Sequence, residues 1–193
     1  DEGVFALNTR ESTYQMMVDR HGYLLHAYYG PSETGLMDYA VLPIERGHSG
    51  NPPAAGLDRS FSLDTLPQEY PTLGPGDHRS HALVVENGDG VQYCDLKFSR
   101  YEIKEGKYAL PGLPAVWAKD GEAQTLEIVL NDDVGGVEVR LLYGVLEQEN
   151  IITRSAIIRN CGSGRIVLKK AAGACLDFVT GDFDLLRFYG RHN

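Results

Sequence analysis

A chain of 193 residues suits one domain, or two small ones, with a core large enough to need neither disulfides nor a structural metal. Apolar residues make up 42% and charged residues 23%, an ordinary balance for a soluble protein, and 27 acids against 18 bases leave a net charge of −9. That acidic balance, with no stripe of Arg interleaved with aromatics, argues against nucleic acid, and no run reaches the roughly 18 apolar residues of a membrane span.

The opening "DEGVFALNTRE" lacks the pattern of a signal peptide and an initiator Met, so a processed or excised piece is compatible with it. Cys94, Cys161 and Cys175 are odd in number and have no CxxC spacing. They read as free thiols, which fits a reducing, cytoplasmic compartment.

Short alternating runs dominate the chain. "STYQMMV" places Tyr14, Met16 and Val18 on one face, and "GYLLHAYYG" follows after the turn text "DRHG". "SETGLMDYAVL" offers Leu36, Met37, Tyr39 and Ala40 at spacings that allow a turn or two of helix after Ser32. Residues 43–81 then break the pattern, carrying six of the nine prolines. Their aromatic and acidic content predicts an ordered excursion that leaves a sheet and returns at "ALVV".

"LKFSRYEI" contains a phase slip, with Leu96 and Phe98 on one face and Tyr101 and Ile103 on the other, as a β-bulge produces. Trp117, in "GLPAVWAKDGEA", is expected to pack at a strand end rather than to stack on a sugar. "TLEIVL" sets Leu126, Ile128 and Leu130 on one side. "VEVRLLYGV" does the same for Val137, Val139, Leu141, Tyr143 and Val145, and "NIITRSAIIRN" and "RIVLKKA" continue in that style. Strands recurring every ~8–12 residues between turn formers predict an all-β, antiparallel sandwich or barrel with at most one short helix.

Within the excursion, "LPQEYPTLGPGDHRSHALVV" crowds acids, histidines and an arginine together. Asp77, His78 and His81 could start a zinc site, but no fourth ligand has recognisable spacing and Arg79 repels a cation, so the histidines read as loop residues. "ENGDG" and "NDDVGG" lack the ligand order of a calcium loop and read as turns. No G-x-S-x-G elbow and no Cys with a local His partner is present. Glu69 and Asp77 read as solvated or capping loop carboxylates, since nothing in their spacing sets them across a sugar. "EYP…GDHR" nonetheless has the ingredients to grip a polyol, with the carboxylates accepting from vicinal hydroxyls, Arg79 donating a fork and Tyr70 supplying a face, or Arg79 could simply brace its own loop by bridging carbonyls and Asp77.

Longer matches then carry a family resemblance. "SFSLDTLPQEYPTLGPGDHRSHAL", "DLKFSRYEIKEGKYALPGLPA", "TLEIVLNDDVGGVEVRLLYGV", "ITRSAIIRNCG" and the closing "YGRHN" resemble, in order, the N-terminal region of bacterial family 36 glycoside hydrolases, the α-galactosidases. Gly76, Asp77 and Arg79 keep that pattern. Leu73 and His78 stand where the family usually has an aromatic residue, Pro75 replaces a small polar one and His81 replaces a proline.

The resemblance implies an antiparallel β-supersandwich of the galactose-mutarotase kind, with residues 1–193 a partial N-terminal domain. It also implies retaining hydrolysis of terminal α-galactosides by two aspartates of a (β/α)8 barrel that this chain does not contain, so no catalytic residue, metal or cofactor is expected here. Partners implied are raffinose- or melibiose-type galactosides through the full-length enzyme, and further copies in a homo-oligomer, a tetramer by resemblance. Loops of this domain reach a neighbouring subunit's active site in such members, which makes Asp58, Asp77 and Arg79 the candidate substrate contacts. The alternatives are a free-standing carbohydrate-binding sandwich without catalysis and a module that binds only protein.

Overall fold

The computed structural model describes residues 3–38, 52–56, 58, 60–178, 181, 182, 184, 186 and 190. Its strands are β1 (Val4–Asn8), β2 (Ser12–Val18), β3 (Leu24–Pro31), β4 (Leu83–Glu86), β5 (Lys97–Glu105), β6 (Gln124–Asp132), β7 (Val137–Leu146), β8 (Ile151–Asn160) and β9 (Val167–Ala171). They form an antiparallel sheet β1-β2-β3, a ribbon β4-β9 and an antiparallel sheet β5-β6-β7-β8. The all-β expectation holds.

The alternation decides which face is buried. Phe5, Leu7, Tyr14, Met16 and Leu24 from the first sheet share one core with Leu126, Ile128, Leu130, Val139, Leu141 and Tyr143 from the last. Leu83 and Val85 of the ribbon, with Cys94 and Leu96 from the following segment, join that core. The outer face of the large sheet carries charge instead. Lys104 pairs with Glu127, Arg140 bridges Glu127 and Glu138, and Arg159 and Arg100 reach Glu138. Long stems of such residues cover Val129, which is buried among them.

The phase slip in "LKFSRYEI" is a register shift between Phe98 and Arg100 on β5. The turn readings also hold. Asp132 accepts from the Val134 and Gly135 amides through Oδ1 and from the Asp95 amide through Oδ2, which fixes the β6–β7 hairpin. Gly136 in that hairpin has φ +65, and a Cβ there would lie 2.7 Å from the Gly162 backbone. Gly136→Ala is therefore expected to lower stability by about 1–3 kcal/mol. Gly164→Ala, whose Cβ meets open space, should leave it unchanged. Urea denaturation compares the two.

Two expectations fail. Residues 32–38 are not helical, and residues 39–42 of that candidate lie outside the described residues. The Gln15 side chain takes the backbone instead, donating to the Gly35 carbonyl and accepting from the Met37 amide, and Thr13 accepts from the Glu33 amide. Among the described residues helix is confined to two 3-10 turns, Pro53–Ala55 and Leu63–Thr65. Trp117 does not pack at a strand end but is 75% exposed. The last pair of the β5–β6 ladder is Glu105 with Gln124, so residues 106–123 form a loop beyond the sheet and offer Trp117 no ladder to close.

The excursion is ordered where it is described. Phe61, Leu63, Leu66 and Ala55 pack on Tyr23 and Leu25 as a second core. This explains why "YLLHAYY" reads as apolar almost without alternation: β3 faces the main core through Leu24 and the excursion through Leu25.

Candidate functional site

Residues 66–81 cross from the second core to the ribbon, and two polar clusters hold them. In the outer one Arg79 curls back over its own loop. Its backbone amide and Nε donate to Asp77 Oδ1 at 2.9 and 3.0 Å, and Nη2 donates to Asp77 Oδ2 at 2.9 Å. The same Nη2 donates to the carbonyls of Leu63, at 3.0 Å, and Leu66, while Nη1 reaches Asp177 at 3.1 Å. Gln68 donates to Asp77 Oδ2 at 2.7 Å.

Asp77 is buried, which raises its carboxyl pKa, but the hydrogen bonds and charge of Arg79, with Gln68, outweigh that and hold it below the ordinary carboxylate value. The bracing role considered for Arg79 is present in full, and 37% of its side chain still faces solvent. His81 turns a ring nitrogen to the Asp77 carbonyl at 2.8 Å. Among the described residues no three His, Cys, Asp or Glu side chains converge as metal ligands.

Asp58 lies apart from that loop. Its carboxylate accepts from the Ser60 amide and hydroxyl at 2.9 and 2.6 Å and pairs with Arg20. The Ser60 bonds, with Arg20 adding to them, draw its pKa below the ordinary value. The structure therefore brings Asp77 and Arg79 into one bonded unit and leaves Asp58 on a separate turn.

The inner cluster was not anticipated. Glu69, expected to be solvated, is fully buried, and Tyr70, considered as a sugar-facing ring, is buried too, its hydroxyl donating to the Ala172 carbonyl at 2.7 Å. Both corrections follow from the segment running between the sheets rather than over them. The Tyr14 hydroxyl lies 2.8 Å from both Glu69 carboxylate oxygens, Tyr143 donates to Oε1 at 2.7 Å, and Arg154 Nη2 sits 3.0 Å from Oε1. Arg154 also donates to the Glu69 carbonyl at 2.7 Å and the Cys175 carbonyl at 3.0 Å. His26 Nδ1 is 3.7 Å from Glu69 Oε2.

Burial raises the Glu69 carboxyl, while Arg154, Tyr143 and Tyr14 pull it back down. Burial, with Arg154 adding to it, lowers His26 to about 4, so this imidazole is neutral at pH 7. One signal for the cluster was in the text. Arg154 occupies the core-facing register of β8 between Ile152 and Ala156, and it pairs across the ladder with Tyr143.

The described residues thus define an all-β domain whose polar side chains mainly fix a loop, and comparison with known proteins gives it a class. Residues 22–193 match the model of the glycosyl hydrolase family 36 N-terminal domain, and the chain belongs to that family. It is 60% identical over 189 residues to the bifunctional alpha-galactosidase/sucrose kinase AgaSK of Mediterraneibacter gnavus, covering 98% of this chain and 20% of that protein. To alpha-galactosidase AgaA of Geobacillus stearothermophilus it is 40% identical over 188 residues, covering 96% of this chain and 26% of that protein.

Among solved structures, the galactosidase domain of AgaSK superposes with a TM-score of 0.93 at 60% identity, covering 99% of this chain and 27% of that one. An AgaA variant in complex with raffinose superposes with a TM-score of 0.87 at 41% identity, over 93% of this chain and 25% of that one. The chain spans about a fifth to a quarter of the curated relatives it matches.

Proposed function

We propose that this chain serves as a partial N-terminal β-supersandwich of an α-galactosidase, a retaining hydrolase of terminal α-galactosides of the raffinose type. The observation that carries this reading is the 60% identity to AgaSK over 189 residues, 98% of the chain. The catalytic aspartates belong to a barrel outside these 193 residues, and this domain supplies architecture, assembly of the oligomer and part of the substrate rim. Complexes of AgaA variants with raffinose and stachyose support the substrate class. Three free cysteines suit a cytoplasmic setting.

Asp58, Asp77 and Arg79 are the rim candidates, directed at a neighbouring subunit. Both Asp77 oxygens are engaged inside the loop, so Asp77 acts by aiming Arg79; with Nε and Nη2 bonded within the loop and Nη1 to Asp177, the partly exposed guanidinium presents its charge and the second Nη1 hydrogen to a sugar hydroxyl.

The test uses the full-length enzyme with raffinose. Arg79→Ala should lower kcat/KM about tenfold, equivalent to ~1.4 kcal/mol, with oligomeric state unchanged and a lower melting temperature, because it leaves buried Asp77 without its cation. Unchanged kinetics would remove the rim role. Arg79→Lys keeps a cation beside Asp77 but withdraws the Nη1 donor, so it should lower kcat/KM at a smaller loss of melting temperature, and unchanged kinetics in it would equally remove the rim role. Binding of raffinose by residues 1–193 alone would favour the free-standing carbohydrate-binding module instead.

A further inference from the structure

Arg79 pairs with two carboxylates, and they differ. Asp77 is buried with both oxygens engaged, Oδ1 by the Arg79 amide and Nε, Oδ2 by Nη2 and by Gln68. Asp177 is the second. Its Oδ2 accepts from Arg79 Nη1 at 3.1 Å, and 40% of its side chain is exposed. Among the described residues no hydrogen bond reaches its Oδ1. The two residues lie 98 positions apart, so no local pattern announces their meeting.

The backbone holds Asp177 in place from behind. The Ala172 amide donates to the Ala82 carbonyl at 2.8 Å, Tyr70 donates to the Ala172 carbonyl, and Arg154 donates to the Cys175 carbonyl. On the guanidinium, Nε and Nη2 direct their hydrogens to Asp77 and to the Leu63 and Leu66 carbonyls, and Nη1 directs one of its two to Asp177. A single Nη1 hydrogen is therefore left beside an unused carboxylate oxygen. A donor and an acceptor held side by side suit neighbouring hydroxyls of a sugar, since each hydroxyl both donates and accepts. Charge narrows the ligand class further. Two carboxylates against one guanidinium leave a net negative charge, so this group receives a neutral sugar and repels a phosphorylated or carboxylated one.

We infer that Asp177 is a further specificity-determining residue of the substrate rim, accepting through Oδ1 from one hydroxyl of a vicinal pair while Arg79 Nη1 donates to the other. This inference rests on the rim reading of Arg79. An enzyme that removes a terminal galactose holds that galactose innermost, so a contact at the rim meets the sugar attached to it. Asp177 thus favours substrates in which a neutral second sugar follows the galactose.

The test uses the full-length enzyme and compares raffinose with p-nitrophenyl α-galactoside, which carries the galactose but no second sugar. Asp177→Asn keeps the shape of the side chain and removes its charge. It should lower kcat/KM on raffinose about tenfold, mainly through KM, and on the nitrophenyl substrate no more than about twofold. Asp177→Glu, which restores a carboxylate, should recover part of the loss. The melting temperature should hardly move, because a pair this exposed contributes little to stability. Equal losses on the two substrates would make Asp177 a merely structural partner and overturn the inference. So would unchanged raffinose kinetics in Asp177→Asn while Arg79→Ala still lowers them, an outcome that leaves the rim reading standing. If Arg79→Ala also changes nothing, the rim reading fails and the role of Asp177 falls with it.

Discussion

Arg154→Met should lower the stability of the domain by about 3–5 kcal/mol, the usual effect of removing one partner from a buried ion pair. The change leaves the Glu69 carboxylate without its cation at a site with no access to water, and it removes the donors to the Glu69 and Cys175 carbonyls. Tyr14 and Tyr143 still donate, so the carboxylate is underpaired rather than abandoned. Against a total stability of about 5–15 kcal/mol for a domain, a third or more of the margin is at stake.

The double variant Glu69→Gln with Arg154→Met should recover part of the loss, because a neutral amide accepts the tyrosine hydroxyls without demanding a counter-charge. Urea midpoints for the two singles and the double complete the cycle. A loss below about 1 kcal/mol for Arg154→Met would mean that the pair contributes no more than an exposed one.

Acid should weaken the fold through His26. Its value falls from 6.5 in the unfolded chain to about 4 in the folded one, chiefly through burial and then through the Arg154 charge. The unfolded state therefore takes up the proton first as pH drops, and stability rises with pH across that window. The contribution is complete above about 6.5 and is lost as pH falls to about 4; at 1.36 kcal/mol per pH unit it amounts to roughly 3 kcal/mol.

Glu69 works in the opposite sense, since its folded value is raised and it gains from acid. The informative quantity is thus the difference between the native chain and His26→Gln. Stability measured from pH 7 to pH 4 should fall more steeply for the native chain, and parallel curves would show that His26 is not held neutral by the fold.

The strands of the large sheet are legible in the sequence because one physical rule governs them. In β6 and β7 every second residue, from Leu126 to Leu130 and from Val137 to Tyr143, enters the main core, so the period of two gives both the strand and its core-facing side. β3 is legible as a strand but not as one covered on both sides, because the covering residues, Phe61 to Leu66, lie about 35 to 40 positions further on.

The clusters around residues 66–81 divide in the same way. Arg79 and Asp77 are two positions apart, and their mutual brace can be guessed from that spacing. Glu69 meets Arg154 across 85 residues, and no local pattern reports such a meeting; only the placement of an Arg in an apolar register of β8 hints that a buried acid awaits it. Trp117 shows the complementary failure. Average burial habits say that a Trp packs, and a long loop beyond a ladder overrides the average.

Tyr70, Arg154 and Arg79 all grip the segment from Ala172 to Asp177, the first two at its carbonyls and the third at a carboxylate. Mechanically this makes the segment a tie-bar. A tug on Asp177 passes through one guanidinium to the Leu63 and Leu66 carbonyls, and a tug at Cys175 passes through another to Glu69. Strain applied to this segment would thus reach the excursion through Arg79 and the large sheet through Arg154 on β8.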